Sequence, residues 1–314
     1  MGTSHESSGN FFWTIHFHTF QALSILDEIL LVDTELRVLE RRSRMPNLAT
    51  TAGHSVVVDI GGIPIRLLTD DVSFLHVVQD RYHGFLSSDH HAVVDLTVEL
   101  VPPGRISDQG DIRVVREAGQ WLVERGDFRF VWDPQSGVAR IRQFANPYSL
   151  DGVFRIMHTL FLAGQGGFLL HAASAVRSGR AFLFFGPSGA GKTTIARLAP
   201  PDATLLSDEI SYVRKERLGY SAHGTPFTGE LAQPGANTSA PIAGLYYLVQ
   251  APRNHLTAMK PVDAVRALLE SVLFFAEDPE LVTLVFQSAC DIVSRLPLYK
   301  LEFKRDQSVW DILE

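Results

Sequence analysis

The sequence contains little of three features that point to particular classes of protein. Cys290 is its one cysteine in 314 residues, so an internal disulfide cannot form and a reducing compartment is indicated. The formal net charge is −7, which argues against a broad basic surface for nucleic acid. No apolar run reaches the ~18 residues that cross a bilayer, and the N-terminal region lacks a signal-peptide pattern. We therefore expect a cytoplasmic globular protein that has neither nucleic acid nor a membrane as a partner.

The chain divides into three stretches of different composition. Residues 1–44 are predicted to be an N-terminal extension that begins with a polar Ser/Gly-rich tip and ends in a basic cluster. Met45 follows directly, which gives the hypothesis that translation starts there and that residues 1–44 are dispensable. Residues 45–164 are predicted to form a smaller β-rich domain that ends in a linking helix, and residues 165–314 a nucleotide-binding domain.

Short alternating strands are the main pattern of the second stretch. Val56–Ile60 and Ile63–Leu67 flank Gly61 and Gly62, a pair typical of a two-residue hairpin turn. Further strands are predicted at Val93–Val101, Ile112–Arg116, Trp121–Glu124, Phe128–Trp132 and Val138–Arg142. Turn signals separate these runs, so we expect an antiparallel meander or curved sheet. No residues in it have catalytic spacing.

Strands alternate with helices in the third stretch, which indicates an α/β core. Its predicted strands are Phe168–Val176, Ala181–Phe185, Ala203–Leu206, Gly244–Gln250 and Leu298–Phe303. Helices are predicted at Ser149–Leu162 with Ser149 as N-cap, Thr193–Leu198, Pro261–Phe275, Pro279–Leu296 and Ser308–Leu313.

Residues 186–193 read Gly-Pro-Ser-Gly-Ala-Gly-Lys-Thr, a complete phosphate-binding loop of the form GxxxxGK[ST]. Glycines let backbone N–H groups turn inward around phosphates without a clashing Cβ atom. Lys192 places a charge against the β- and γ-phosphates of ATP, and the Thr193 hydroxyl is suited to Mg²⁺. The predicted ATP-binding residues are Gly186, Ser188, Gly189, Ala190, Gly191, Lys192, Thr193 and Thr194. A predicted strand precedes the loop and a helix follows it, as this site requires.

An acidic pair, Asp208 and Glu209, ends a predicted strand only sixteen residues beyond Lys192. One helix and one turn fill that gap, so we expect Asp208 on a strand that neighbours the loop strand, near the γ-phosphate. Carboxylates there can hold a metal or accept the proton of an attacking hydroxyl. The predicted magnesium ligands are Thr193, Glu209 and Asp208.

His171 lies in an apolar strand upstream of the loop. It is either a core histidine or a group that orients Asp208 from a strand paired with the loop strand. On the second interpretation the catalytic residues are Asp208, His171 and Lys192.

The segment from Tyr220 to Pro241 is rich in glycine and proline and has little apolar periodicity. Such loops are commonly lids or substrate-binding loops, and the alternative is a plain surface excursion. Glu230 and Asn237 are its candidates for facing the phosphates.

Taken together, three groups of residues resemble the HPr kinase/phosphorylase family: His171 to Ser174, Gly186 to Thr194, and Ser207 to Glu209. The resemblance covers residues 165–314. It implies a P-loop core akin to that of phosphoenolpyruvate carboxykinase, with ATP and Mg²⁺ as cofactors. It also implies Asp208 as the base for a target serine, Glu209 at the family's second aspartate, and His171 as a helper of the base.

The same resemblance implies a protein or peptide as the partner that carries the serine, and a homo-oligomer, since the family is often oligomeric. The family's Arg-Gly-Leu-Gly segment is missing, so phosphorylase activity is not implied. The leading hypothesis is therefore an ATP-dependent serine kinase. Two alternatives stay open: a non-catalytic ATP-binding regulatory protein, and a small-molecule kinase.

Overall fold

The computed structural model describes residues 53–102 and 112–313. All of them belong to one compact unit of mixed α/β architecture, with two large sheets and few helices. The predictions about residues 1–44 and a start at Met45 lie outside the described residues.

The first sheet has eight strands, and helix α1 follows its second strand. Its elements are β1 (His54–Ile60), β2 (Ile63–Thr69), α1 (Val72–Arg81), β3 (Leu86–Ser87), β4 (Val94–Leu100), β5 (Arg113–Glu117), β6 (Gln120–Arg125), β7 (Phe128–Asp133) and β8 (Val138–Gln143). The strand order is β3-β1-β2-β4-β8-β7-β6-β5. The predicted hairpin at Gly61 and Gly62 is confirmed, with φ of 64° and 76° at the turn.

The prediction of an antiparallel sheet was only partly right. Strands β5 to β8 form an antiparallel meander, but β4 pairs in parallel with both β2 and β8. The chain reaches β4 from β2 through α1, and such a crossover is what allows two strands to run in the same direction.

Helix α2 (Pro147–Gln165) joins the two sheets. Its N-cap lies about one turn earlier in the chain than the predicted one. Asn146 is the N-cap, since its side chain accepts a hydrogen bond from the N–H of Tyr148 at 2.9 Å. The predicted cap, Ser149, is buried and donates instead to Asp127 at 2.7 Å. The helix ends at Gly166, whose φ of 76° favours glycine.

The second sheet contains nine strands and encloses the glycine loop. Its elements are β9 (Phe168–Arg177), β10 (Arg180–Phe185), α3 (Lys192–Arg197), β11 (Thr204–Ser207), β12 (Ile210–Glu216), β13 (Gly219–His223), β14 (Ser239–Gln250), β15 (His255–Ala258), α4 (Pro261–Leu269), β16 (Val272–Leu273), α5 (Pro279–Arg295) and β17 (Leu298–Phe303). Strands β10, β14 and β17 are parallel neighbours. The helix predicted to reach Phe275 ends at Leu269, and the last predicted helix is a short 3-10 turn over Gln307–Ile312.

Strand β9 lies between the loop strand and the strands that carry the acidic pair. It pairs antiparallel with β10 on one side and with β11 and β12 on the other. The expectation that the strand before Asp208 directly neighbours the loop strand was therefore wrong. Residues of β9 separate the two, which explains why His171 lies between the loop and the acidic turn.

One hydrophobic core spans both sheets around α2. Phe130 and Ile141 of the first sheet, Met157 of α2 and Tyr212 of β12 are all buried in it. The predicted boundary at residues 164 and 165 falls at the end of α2. The division into two domains stays a prediction, as does the P-loop core of the phosphoenolpyruvate carboxykinase type. No helix among the described residues is long and apolar enough to span a membrane.

Candidate functional site

The glycine loop, residues 186–191, connects β10 to α3 at the carboxyl ends of three parallel strands. Crevices at this edge of a parallel sheet are where such folds bind ligands. Gly186, Gly189 and Gly191 have φ of 147°, 77° and 110°, a conformation that side chains with a Cβ atom rarely adopt. A Cβ atom on Gly191 would also lie 2.6 Å from Cζ of Phe303. The backbone of the loop therefore requires these glycines.

Neighbouring side chains hold the loop from outside. Gln250 at the end of β14 donates to the carbonyl of Gly189 at 2.7 Å, and Arg305 donates to the Gln250 side chain at 2.9 Å. Gly191 is the N-cap of α3, and the first N–H groups of a helix have no intrahelical acceptor. The loop is thus fixed in a shape that leaves donors at the start of α3 for an anion.

Lys192 lies inside the loop and is 8% exposed. Its ammonium group donates to the carbonyl of Gly186 at 3.0 Å and to that of Pro187 at 3.2 Å. Burial lowers the pKa of Lys192, while the nearby carboxylates of Glu209 and Glu230 oppose that change. An ammonium group has three donors, so one is left for a phosphate oxygen.

Asp208 lies in the turn between β11 and β12 and is 3% exposed. Its two carboxylate oxygens accept hydrogen bonds from the N–H of Gly229 at 2.9 Å and of Leu231 at 2.8 Å. Asp208 therefore holds the loop that follows β13 against the acidic turn. Its predicted roles as base and magnesium ligand stay predictions, and both need an oxygen that these contacts already engage.

Glu209, the next residue, is more accessible, with 31% of its side chain exposed. One oxygen accepts a hydrogen bond from Arg155 at 3.2 Å. Burial raises the pKa of Glu209, the charge of Arg155 opposes this, and the charges of Asp208 and Asp151 add to it. The charge of Glu209 acts to raise the pKa of Lys192 in the glycine loop.

Arg155 is a site residue that sequence reasoning missed. It projects from α2, and its side chain is 16% exposed with the guanidinium group 5.1 Å from the centre of the Phe227 ring. No motif marks it. The only signal available was a charged residue among apolar neighbours on the predicted helix, where Val153, Phe154 and Ile156 are all buried.

His171 is brought to the same place by the register of β9. Its Cα partner is Ile210, directly after the acidic turn, and its neighbour Ala172 pairs with Phe185, directly before the glycine loop. Burial lowers the pKa of His171 to about 4, and the positive charges of Lys192 and Arg155 add to the effect. The imidazole is therefore neutral at pH 7. Its predicted part in orienting Asp208 stays a prediction.

The loop between β13 and β14 is more firmly anchored than a lid would be. Thr225 donates to the carbonyl of Ile210 at 2.8 Å, and Phe227 is fully buried. Cβ atoms on Gly224 and Gly235 would lie 1.8 and 1.7 Å from backbone oxygens. The exposed residues of this loop are Glu230, Ala232, Gln233 and Pro234 at its tip, and Asn237 and Thr238 just before β14. Glu230 lies 3.9 Å from Arg197, so the tip reaches the last residue of α3.

The predicted magnesium ligands do not form a self-contained metal site. Within residues 53–102 and 112–313, no group of three or more His, Cys, Asp or Glu side chains is arranged to hold a metal ion. Thr193 is the second residue of α3, and Glu209 is the accessible carboxylate of the acidic pair. Oxygen donors of this kind suit Mg²⁺, which commonly takes most of its ligands from substrate phosphates and water.

A family model described as SynChlorMet cassette protein ScmC matches residues 150–314, just over half of the chain. The chain belongs to the ScmC family. The region that matches ScmC includes the glycine loop, the acidic pair, His171 and Arg155. The assignment to HPr kinase/phosphorylase was therefore wrong, because the model that matches these motifs is that of a different family. A search of curated proteins finds no match.

Proposed function

We propose that the protein transfers the γ-phosphoryl group of ATP to a serine hydroxyl of a protein or peptide. The observation that carries the proposal is a glycine loop with a buried lysine in it, beside the accessible carboxylate of Glu209. A glycine loop of this kind binds phosphates, and a carboxylate beside it can activate an acceptor hydroxyl.

The loop residues bind the triphosphate. Backbone N–H groups at the start of α3 and the third donor of Lys192 contact phosphate oxygens. The Thr193 hydroxyl would hold Mg²⁺ together with phosphate oxygens and water. Magnesium supplies charge neutralisation of the phosphates when it is bound.

Glu209 accepts the proton of the acceptor serine in this proposal. A new bond forms between the serine oxygen and the γ-phosphorus, while the bond from that phosphorus to the bridging oxygen breaks and its electron pair leaves with ADP. The acidic pair favours Glu209 over Asp208 as the base, since 31% of the Glu209 side chain is exposed, whereas Asp208 is buried and both of its oxygens accept loop N–H groups. The raised pKa of Glu209 also makes it a stronger proton acceptor than an ordinary glutamate.

A chain segment is the acceptor that the site favours. The loop tip formed by Glu230, Ala232, Gln233 and Pro234 is exposed. We therefore expect an extended peptide to reach Glu209 over an open surface, rather than a metabolite in a closed pocket. The single cysteine and the need for ATP support a cytoplasmic location for this reaction.

The experiment measures transfer from radiolabelled ATP to serine-containing peptides and to proteins of a cell lysate. We compare wild type with Glu209→Gln and Asp208→Asn, and use Glu124→Gln on the first sheet as the matched control. Glu209→Gln should lower transfer at least ~100-fold without loss of ATP binding, since general-base catalysis contributes about 10²–10⁴-fold. Asp208→Asn should lower the melting temperature, because its new amide group cannot accept both loop N–H groups.

Three outcomes would contradict the proposal, and a fourth would contradict only the role of Glu209. A wild-type protein that binds no ATP removes the phosphate site altogether. Binding without transfer to any acceptor identifies the non-catalytic alternative, and transfer to a metabolite alone identifies the small-molecule kinase. Equal transfer by Glu209→Gln and wild type removes Glu209 from the role of base and returns it to Asp208.

A further inference from the structure

Arg155 brings a second positive charge to the site, from an element that precedes the glycine loop. It lies on α2, fifty-four residues before its partner Glu209 in the chain. The hydrogen bond to Glu209 is 3.2 Å long, and the side chain is 16% exposed. The charge of Glu209 acts to raise the pKa of Lys192, and the charge of Arg155 acts to lower the pKa of Glu209, so both cations influence the same carboxylate.

The guanidinium group has donors that the protein does not use. Among the described residues, Nε of Arg155 is buried and has no hydrogen-bond partner. Guanidinium carries five N–H donors, and the bond to Glu209 uses one. A buried donor without an acceptor is unfavourable, so its presence needs an explanation, and a ligand oxygen would supply one.

The position of the group is set before any ligand arrives. Its face packs against the ring of Phe227, which is fully buried in the core that both sheets share. Phe227 belongs to the loop that Asp208 holds in place through Gly229 and Leu231. Arg155 is thus fixed by α2 from one side and by this anchored loop from the other.

We propose that Arg155 is a catalytic residue that contacts the γ-phosphoryl group during transfer. This inference rests on the proposed function. Negative charge on the three equatorial oxygens must be neutralised as the phosphoryl group passes to the serine oxygen, and a rigid arginine in the same chain serves that purpose. No proton leaves Arg155. The guanidinium donors that Glu209 does not engage contact the phosphoryl oxygens.

The test uses a transition-state mimic. If the ion pair between Arg155 and Glu209 were purely structural, it would not affect how tightly the protein binds such a mimic. Fluorescent mant-ADP is bound with Mg²⁺, with and without aluminium fluoride, and its release from the full chain is followed after dilution. The variants are Arg155→Met, which keeps the packing against Phe227, and Arg155→Lys, which keeps the charge without the planar fork. Arg129→Gln, an exposed arginine on the first sheet, is the matched control.

Wild type and Arg129→Gln should release mant-ADP at least ~100-fold more slowly with aluminium fluoride than without it. Arg155→Met should bind mant-ADP within about threefold of wild type and lose this slowing, since arginines in this role contribute about 10³–10⁵-fold. Arg155→Lys should lie between them. If Arg155→Met melts below the assay temperature, Arg155→Lys decides the question by the same comparison.

Slow release that is equal in wild type and both Arg155 variants would overturn the inference and leave the proposed function standing. Wild type that binds mant-ADP but shows no slowing also overturns it, because no transition-state contact then exists. Wild type that binds no mant-ADP at all overturns the proposed function itself, and the inference with it.

Discussion

Gly191→Ala tests the shape of the glycine loop without any assumption about its ligand. Gly191 has a φ of 110°, and a Cβ atom there would lie 2.6 Å from Cζ of the buried Phe303. Strain in this backbone region costs about 1–3 kcal/mol. Overpacking against a buried ring typically adds about 1–3 kcal/mol. We therefore expect Gly191→Ala to lower the free energy of unfolding by about 2–6 kcal/mol.

Gly189→Ala is the matched control in the same loop. Gly189 also has a positive φ, 77°, but a Cβ atom there would meet nothing within 4 Å. Its cost is backbone strain alone, about 1–2 kcal/mol. Urea denaturation followed by circular dichroism measures both variants, and the difference between them isolates the clash with Phe303.

A double-mutant cycle with Phe303→Leu checks the cause. Leucine has no Cζ atom, so combining it with Gly191→Ala should relieve the clash and give a favourable coupling of about 1–3 kcal/mol. Equal destabilisation by Gly191→Ala and Gly189→Ala, or additive effects of Gly191→Ala and Phe303→Leu, would refute the reasoning. Either result would mean that the loop does not pack on Phe303 as the structure describes.

Two further predictions concern α2. Burial lowers the pKa of His158 to about 3, whereas in the unfolded chain it is near 6.5. Between about pH 3 and pH 6.5 the unfolded chain therefore binds more protons than the folded protein, and the free energy of unfolding falls as the pH drops. His158→Gln should therefore make the stability lost between pH 7 and pH 5 smaller by about 2 kcal/mol in urea titrations, whereas the exposed His255→Gln should not; an unchanged loss would contradict the burial of His158. Asn146→Ala should cost about 1 kcal/mol by thermal melting because the helix loses its N-cap, and no cost would show that Asn146 does not cap α2.

Features that a few neighbouring residues encode could be predicted from the sequence. The glycine loop is contiguous, and its glycines, lysine and threonine have their positions set by local backbone geometry. The hairpin at Gly61 and Gly62 is local in the same way. Helix starts were less certain, because Asn146 and Ser149 are both good caps and only their contacts distinguish them.

Features that depend on contacts distant in the chain could not be predicted. Arg155 and Glu209 meet because α2 packs beside β12, and nothing in either local sequence marks the other. The parallel pairing of β4 and the insertion of β9 between the loop strand and the acidic turn also follow from packing over many residues. The family was likewise decided by a match over residues 150–314 and not by short motifs.

The sequence by itself thus determined the glycine loop, since that loop depends on backbone conformations that glycine alone adopts easily. The tertiary structure decided which charged groups surround the glycine loop and which carboxylate of the acidic pair is accessible. Local preferences act within a few residues, whereas strand order, burial and ion pairing depend on which distant surfaces pack together.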